Sequence, residues 1–143
     1  MELRKICNHP YLVKGVEDRI LADAAATLKA KTPEGDDLPV DYAKLFGEQL
    51  VKSSGKMVLL EKLLRKLFTN GHKVLIFSQM VRVLDLLEEL LKMSKYRYER
   101  LDGSTSSSSR ASAVDRFNRP SCQRFVMLLS TRAGGLGKEI SGI

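Results

Sequence analysis

The feature that most constrains the fold is an alternation of helical patterns with short apolar runs between residues 53 and 130. The runs at residues 74–77 and 125–129 contain only apolar side chains, which is typical of parallel strands covered on both faces. A weaker strand is predicted over residues 96–101. With a helix before each strand, the order α-β-α-β-α-β predicts an α/β domain, in which helices cover a parallel sheet through right-handed crossovers.

Each predicted helix combines an apolar stripe with a signal at its start or end. The first follows Ser53 or Ser54 as its capping residue and ends at Gly71, where glycine supplies the left-handed cap. The second covers residues 81–93, and the third covers residues 106–117 behind serines that suit a helix start. The side chains expected to face the core are Leu60, Leu63, Leu64 and Leu67 in the first helix, Leu84, Leu87 and Leu91 in the second, and Ala113, Val114 and Phe117 in the third.

The first 54 residues show less regular patterning. Residues 3–13 are short and apolar, and Pro10 breaks any helix before it. A helix is predicted over residues 20–30, and residues 32–39 have the composition of an exposed loop. We therefore expect residues 15–54 to form a variable, partly ordered insertion.

Polar and glycine-rich segments directly follow the three predicted strands. They are Ser78-Gln79-Met80, Asp102-Gly103-Ser104-Thr105 and the segment from Ser130 to Gly137. In open parallel sheets, ligands bind at the edge where the strands' carboxyl ends meet. The three segments are therefore expected to converge on one site.

Phosphate is the ligand that suits the last of these segments. Residues 130–137 combine hydroxyls, Arg132 and three glycines, and such a backbone approaches a phosphate closely and points N–H groups at it. The alternative is a tight strand-to-helix turn without a ligand. Residues 102–105 are likewise either a turn into a serine-capped helix or, through free N–H groups at that helix start, a further phosphate contact.

The formal net charge of +7 is unevenly distributed. Residues 1–54 hold 8 Lys/Arg against 9 Asp/Glu, a net of −1, and residues 55–143 hold 16 against 8, a net of +8. This basic excess is expected of a surface that faces a polyanion such as nucleic acid, although solvated lysines on helix backs give the same count.

Several functional classes lack support in the sequence. No apolar run is long enough to cross a membrane. Cys7 and Cys122 lie far apart and suggest no disulfide framework, and the histidines do not join them at ligand spacing, so no metal site is predicted. No catalytic triad stands out. The segment at residues 53–57 fails the phosphate-loop pattern, because Leu50 and Met57 stand where glycine and Ser/Thr are required.

These motifs together resemble the SWI/SNF-type chromatin-remodelling ATPases. The matching strings are LRKICNHPYL at residues 3–12, SSGK at 53–56, VLIFSQM at 74–80, YERLDGS at 98–104 and LSTRAGGLG at 129–137. The spacing is most similar to the CHD and ISWI branches. The resemblance implies the second RecA-like lobe, a helicase C-terminal domain, over residues 53–143, and a lobe-connecting segment with a variable insertion over residues 1–52.

Function and site residues follow from the resemblance as expectations. Such a motor is a nuclear DNA translocase that binds ATP and Mg²⁺ between its two RecA-like lobes and shifts nucleosomes along duplex DNA. The expected partners are therefore DNA, nucleosomes and the first lobe of the same protein, with no membrane. The DNA-side candidates are Ser78, Gln79, Asp102, Gly103, Ser104, Ser130, Thr131 and Arg132, and the ATP-cleft candidates are Gly134, Gly135 and Gly137.

The sequence departs from the family after Gly137. Lys138-Glu139-Ile140 stand where the family has Ile-Asn-Leu, and the chain ends at Ile143 before the arginine-finger motif. Ser109 also replaces a common acidic residue. We therefore expect a lobe that is incomplete at its carboxyl terminus and inactive alone, with no catalytic residue of its own. The alternative function is a non-catalytic DNA- or nucleosome-binding module without motor activity.

Overall fold

The computed structural model describes residues 2–31 and 40–131. The chain divides into two compact units, Met1–Glu61 and Lys62–Ile143. The helices are α1 (Glu2–Asn8), α2 (Val16–Lys31), α3 (Tyr42–Lys52), α4 (Gly55–Thr69), α5 (Val81–Met93) and α6 (Ser107–Asn118), with a 3-10 turn at Pro10–Leu12, and the strands are β1 (Val74–Ser78), β2 (Tyr98–Leu101) and β3 (Val126–Ser130).

The second unit contains one three-stranded sheet in the order β1-β3-β2, and both pairings are parallel. Val74 pairs with Val126 and Tyr98 pairs with the same residue from the other side. The prediction of a single parallel sheet is confirmed, and the three strands lie within or one residue beyond their predicted ranges.

The central strand β3 has all five residues buried. The edge strand β1 differs, because Phe77 is 55% exposed. The prediction that residues 74–77 form a strand buried on both faces is therefore wrong at Phe77. This side chain shares a face with Leu129, and the helix on that face, α6, packs against the opposite edge strand β2.

Helices cover both faces of the sheet, as predicted. On one face, Leu101 and Met127 pack with α6 in a core cluster that includes Ala113, Val114 and Phe117. On the other face, α5 packs on β1 and β3, and its residues Asp85 and Glu88 contact Arg100 of β2. The α5 side chains Leu84, Leu87 and Leu91 are all buried, as predicted, together with Leu90.

A local signal sets the carboxyl end of α4, but the buried stripe of this helix differs from the prediction. Gly71 has φ of +73°, and the N–H of His72 donates to the carbonyl of Leu67, so glycine ends the helix as predicted. Met57 and Leu64 are buried, whereas Leu63 is 46% exposed and does not face the core. The Leu63 error reflects the packing of neighbouring elements, which helical periodicity alone does not report.

The first unit contains more helix than the sequence indicated. Helix α3 was not predicted, although Asp41 caps it by accepting hydrogen bonds from the N–H groups of Ala43 and Lys44, each at 3.1 Å. Helix α2 extends beyond the predicted residues 20–30 at both ends. The predicted loop at residues 32–39 lies outside the described part of the chain.

A buried histidine links the first segment to α3. His9 is fully buried, its Nε2 lies 2.7 Å from the carbonyl oxygen of Leu50, and its Nδ1 accepts from the N–H of Tyr11 at 3.0 Å. These partners require the neutral ring with the proton on Nε2. Burial lowers the pKa of His9 below its ordinary value of 6.5, and the bond to Leu50 only partly offsets this.

We expect His9→Ala to reduce the free energy of unfolding by about 2–4 kcal/mol, because it removes two buried hydrogen bonds and ring packing. Chemical denaturation measures the change. His72→Ala is the control, since His72 is exposed and its loss should change stability by less than about 0.5 kcal/mol. Equal effects of the two substitutions would contradict the structural role of His9.

Protonation should act on the same contact. Because the folded pKa of His9 is depressed, its stabilising contribution is present above pH 6.5 and is lost as the pH falls below that value through the folded pKa. Thermal melts between pH 7.5 and pH 5.5, about one unit either side of the unfolded pKa, should show this decline in the parent chain and a weaker one in His9→Ala.

Candidate functional site

The carboxyl ends of the three strands lie at one edge of the sheet. Ser78 at the end of β1 pairs with Ser130 at the end of β3. Leu101 at the end of β2 pairs with Leu129, so Asp102 follows at the level of Ser130. The starts of the three predicted polar segments, Ser78, Asp102 and Ser130, therefore lie at one edge, which we call the carboxyl edge. Residues 132–137 of the third segment lie outside the described part of the chain.

Ser78 shapes the turn between β1 and α5. Its hydroxyl accepts from the N–H of Met80 at 3.2 Å and donates to the Met80 carbonyl at 3.0 Å. The next side chain, Gln79, is exposed. The Ser78 hydroxyl thus serves the turn, and Gln79 is the side chain of this segment that is open to a ligand.

The segment from Asp102 to Thr105 is an internally bonded turn that leads into α6. One carboxylate oxygen of Asp102 accepts from the N–H and the hydroxyl of Ser104, at 3.0 and 2.5 Å. The hydroxyl of Thr105 accepts from the Asp102 N–H at 3.2 Å. Arg110 closes the turn by donating to the Asp102 carbonyl at 2.9 Å and to the Thr105 carbonyl at 3.1 Å.

Ser106 caps α6, accepting from the N–H of Ser109 at 3.3 Å. The interpretation of this segment as a turn into a serine-capped helix is thus confirmed. At position 109, where the family commonly has an acidic residue, the hydroxyl of Ser109 accepts from the hydroxyl of Ser106 at 2.8 Å. Gly103 and Ser104 are exposed at the tip of the turn.

A single arginine binds three carboxylates beside this turn. The guanidinium of Arg100 lies 2.7 Å from Asp85, 2.7 Å from Glu88 and 2.9 Å from Asp102. Tyr98 adds a hydrogen bond to Glu88 at 2.7 Å. This cluster, which we call the Arg100 cluster, ties α5, β2 and the Asp102 turn together.

The Arg100 cluster shifts the ionisation of its members. Hydrogen bonds from Ser104, from its side chain first, hold the pKa of Asp102 below its ordinary value. Burial and the bond to Glu88 raise the pKa of Tyr98 to about 12. Burial alone would lower the pKa of Arg100, but its bonds to the carboxylates outweigh this and raise it. The arginine and Asp102 are therefore both charged at neutral pH.

Sequence reasoning missed the Arg100 cluster, and it placed Asp102 on the DNA side because of the family resemblance. The sequence signal that could have indicated it is an arginine within β2, Arg100, together with two carboxylates three residues apart on α5, Asp85 and Glu88. The structure gives the Asp102 carboxylate internal partners and leaves it 6% exposed. Its geometry is that of a side chain that positions the turn.

The remaining predicted site residues divide into two groups. Ser130 is 4% exposed and Thr131 is exposed at the end of β3. Arg132 and the ATP-cleft candidates Gly134, Gly135 and Gly137 lie outside the described residues. Within the described ranges, no group of His, Cys, Asp and Glu has the arrangement of a metal site, and no helix is long and apolar enough to span a bilayer.

We expect Arg100→Ala to destabilise the chain by roughly 2–4 kcal/mol, because it leaves three carboxylates close together without their cation. Arg82→Ala, an exposed arginine on α5, is the matched control and should change stability by less than about 0.5 kcal/mol. Urea denaturation of both variants checks this. A loss in Arg100→Ala no larger than in the control would show that the cluster is not stabilising.

Comparison with protein-family models matches residues 55–143 to the helicase conserved C-terminal domain. The chain is 53% identical to chromodomain-helicase-DNA-binding protein 8 of Xenopus tropicalis, 51% to protein 6 of Rattus norvegicus and 50% to protein 7 of Homo sapiens. Each alignment covers 99% of this chain, which spans only 4–6% of the length of these relatives.

A solved structure shows the same fold. The C-terminal part of the Fun30 ATPase domain superposes with a TM-score of 0.59 at 32% identity, covering 85% of this chain and 35% of that one. The parallel sheet with helices on both faces is thus a RecA-like helicase C-terminal lobe. The chain belongs to the helicase conserved C-terminal domain family, within the SWI/SNF-type ATPases, and is similar over nearly its whole length to the chromodomain-helicase-DNA-binding proteins.

Proposed function

We propose that this chain is part of an ATP-dependent DNA translocase that remodels chromatin, and that its carboxyl edge contacts the DNA backbone. The observation that carries the proposal is the strand register, which brings Ser78, Asp102 and Ser130, where the three polar segments begin, to one edge of a lobe of the helicase C-terminal family. The names of the relatives, chromodomain-helicase-DNA-binding proteins, support the same class of substrate.

The exposed groups at this edge suit a phosphate backbone. Gln79, Ser104 and Thr131 offer amide or hydroxyl donors, and Gly103 leaves the backbone accessible. Arg132 follows Thr131 directly in sequence and adds a positive charge. Such groups position a duplex without reading its bases, so the proposed binding is independent of sequence.

We assign different roles to the two buried polar residues that precede these groups. Asp102 carries a negative charge that would repel a phosphate, and it holds the turn that presents Gly103 and Ser104. Ser130 is buried next to Ser78 in the pairing register and lies below the exposed Thr131. The DNA-side groups are therefore the exposed residues that follow each strand.

In the complete motor, ATP and Mg²⁺ would bind between this lobe and the first RecA-like lobe of the same protein, with Gly134, Gly135 and Gly137 on the nucleotide side. The protein would act on nucleosomes in the nucleus. This part of the proposal depends on the family resemblance and on the glycine-rich sequence at residues 134–137.

The 143-residue chain should bind duplex DNA weakly, and affinity should fall steeply with salt. Counterion release predicts a linear log–log plot, with a slope that corresponds to about two to four phosphates for a surface of this size. Fluorescence anisotropy of a labelled duplex at several salt concentrations measures it. Two duplexes of unrelated sequence should give the same affinity, and a clear preference between them would contradict backbone recognition.

A matched pair of glutamines locates the DNA surface. Gln79→Glu places a negative charge at the carboxyl edge and should weaken DNA binding by about two- to fivefold at low salt. Gln123→Glu makes the same change in net charge at the opposite end of the strands, just before β3, and should leave DNA binding nearly unchanged. Equal loss in both variants, or loss only in Gln123→Glu, would place the DNA elsewhere.

Arg132→Ala should weaken binding to every duplex alike and make the salt slope shallower by roughly one, because one phosphate contact is lost. Arg119→Ala, which also removes one arginine, is the control for net charge and should retain the slope. A folded Arg132→Ala chain with parental affinity would remove this residue from the interface.

The chain alone should hydrolyse no ATP above background, because its sequence contains no phosphate loop and the segment at residues 53–57 departs from that pattern. Phosphate release with and without duplex DNA tests this. Release that rises with DNA would show a catalytic site within these residues.

A further inference from the structure

A concave cluster of arginines lies at the amino-terminal ends of β2 and β3, at the opposite end of the strands from the carboxyl edge. Arg97 precedes β2, Arg124 precedes β3, and Arg116 and Arg119 stand at the end of α6. Together with Ser121, Cys122 and Gln123 they line a cavity of about 290 Å³, which we call the arginine pocket.

The arginine pocket holds more positive charge than its ion pairs neutralise. Glu99, whose side chain is 12% exposed, binds Arg116 at 2.8 and 3.2 Å and also pairs with Arg124. The guanidinium of Arg97 donates to the neutral amide of Gln123. Arg119 is exposed and has no side-chain partner among the described residues.

Four guanidinium groups therefore face one carboxylate, which leaves a net charge of +3 in a single concave site. The ion pairs of Glu99 explain Arg116 and Arg124 as links between β2, α6 and the start of β3. They do not involve Arg97, which bonds to the neutral amide of Gln123, or Arg119, so no carboxylate of the pocket lining compensates these two charges. Lys73 adds to this field, since its ammonium donates to the carbonyls of Phe117 and Arg119 at 2.6 and 3.4 Å.

We propose that the arginine pocket binds the terminal phosphate of a small phosphomonoester or polyphosphate. Guanidinium forks match phosphate oxygens in bidentate pairs, and several forks around one cavity suit a group with two negative charges. A phosphate of a DNA backbone carries one charge and lies on a convex surface. A terminal phosphate with two negative charges therefore matches the net charge of +3 at this site better than a backbone phosphate does.

This site is separate from the proposed DNA surface. The five residues of β3 lie between the two edges, which corresponds to about 13 Å of strand. The two proposals rest on different residues, so either can fail alone.

Cys122 can report on occupancy of the pocket, because it is a lining residue and its Sγ accepts from the N–H of Arg124, a second lining residue, at 3.2 Å. The 143-residue chain is treated with iodoacetamide while inorganic pyrophosphate is titrated at constant ionic strength. Alkylation of each cysteine is followed by mass spectrometry. Cys7, which is exposed and outside the lining, is the internal control.

We expect pyrophosphate to slow alkylation of Cys122 and to leave Cys7 unchanged. Arg97→Gln with Arg119→Gln should raise the pyrophosphate concentration needed for protection by at least about tenfold, as expected for the loss of two charge-assisted contacts. Gln123→Glu, which supplies Arg97 with a carboxylate and removes no arginine, should also weaken protection. Gln79→Glu is its matched control and should leave the protection of Cys122 unchanged.

Phosphorus NMR line broadening of pyrophosphate provides the same test without the thiol, and it applies to any variant that remains folded by circular dichroism. Absence of both protection and broadening in the parent chain would overturn the proposal. So would protection that chloride of equal ionic strength reproduces. If duplex DNA protects Cys122 more strongly than pyrophosphate does, the pocket is a DNA contact and the small-ligand proposal is wrong.

Discussion

The parallel pairing of β3 with a strand on each side is the constraint on which the rest of the lobe depends. All five residues of β3 are buried, so both faces of the strand are covered by helices and both of its edges are paired with other strands. The register that satisfies this core also places Ser78, Asp102 and Ser130 at one level. The carboxyl edge is therefore a consequence of the core.

The Arg100 cluster decides which polar residues at that edge remain available to a ligand. Its arginine pairs with carboxylates from α5 and from the Asp102 turn, and Ser104 donates further hydrogen bonds to Asp102. Ser78 and Asp102, both polar residues of the motifs, therefore serve the scaffold through internal hydrogen bonds. Gln79 and Thr131, which are exposed, are better candidates for contact than Asp102 or Ser78.

Most of the fold could be predicted from the sequence because its signals are local. Helix α5 has its predicted bounds, since its apolar stripe and flanking polar residues lie within the same 13 residues. Phe77 and Leu63 were misjudged, because their exposure depends on which elements pack beside them. The Arg100 cluster joins residues 15 positions apart in sequence, Asp85 and Arg100, and no periodicity reports such a contact. The roles of Arg132 and the following glycines stay predictions.

The location of the positive charge bears on both proposed sites. The excess of +8 over residues 55–143 is expected from the sequence either of a surface that faces a polyanion or of solvated lysines on helix backs. In the structure, the Arg100 cluster contributes more negative than positive charge near the carboxyl edge, whereas four arginines face one carboxylate in the arginine pocket. Net charge alone therefore does not locate the DNA. Part of this positive charge lies at the opposite end of the sheet, where it attracts anions whether or not a duplex is bound. A salt effect on DNA binding therefore has to be assigned to one end of the strands. Substitutions that change the charge by the same amount at each end make that assignment.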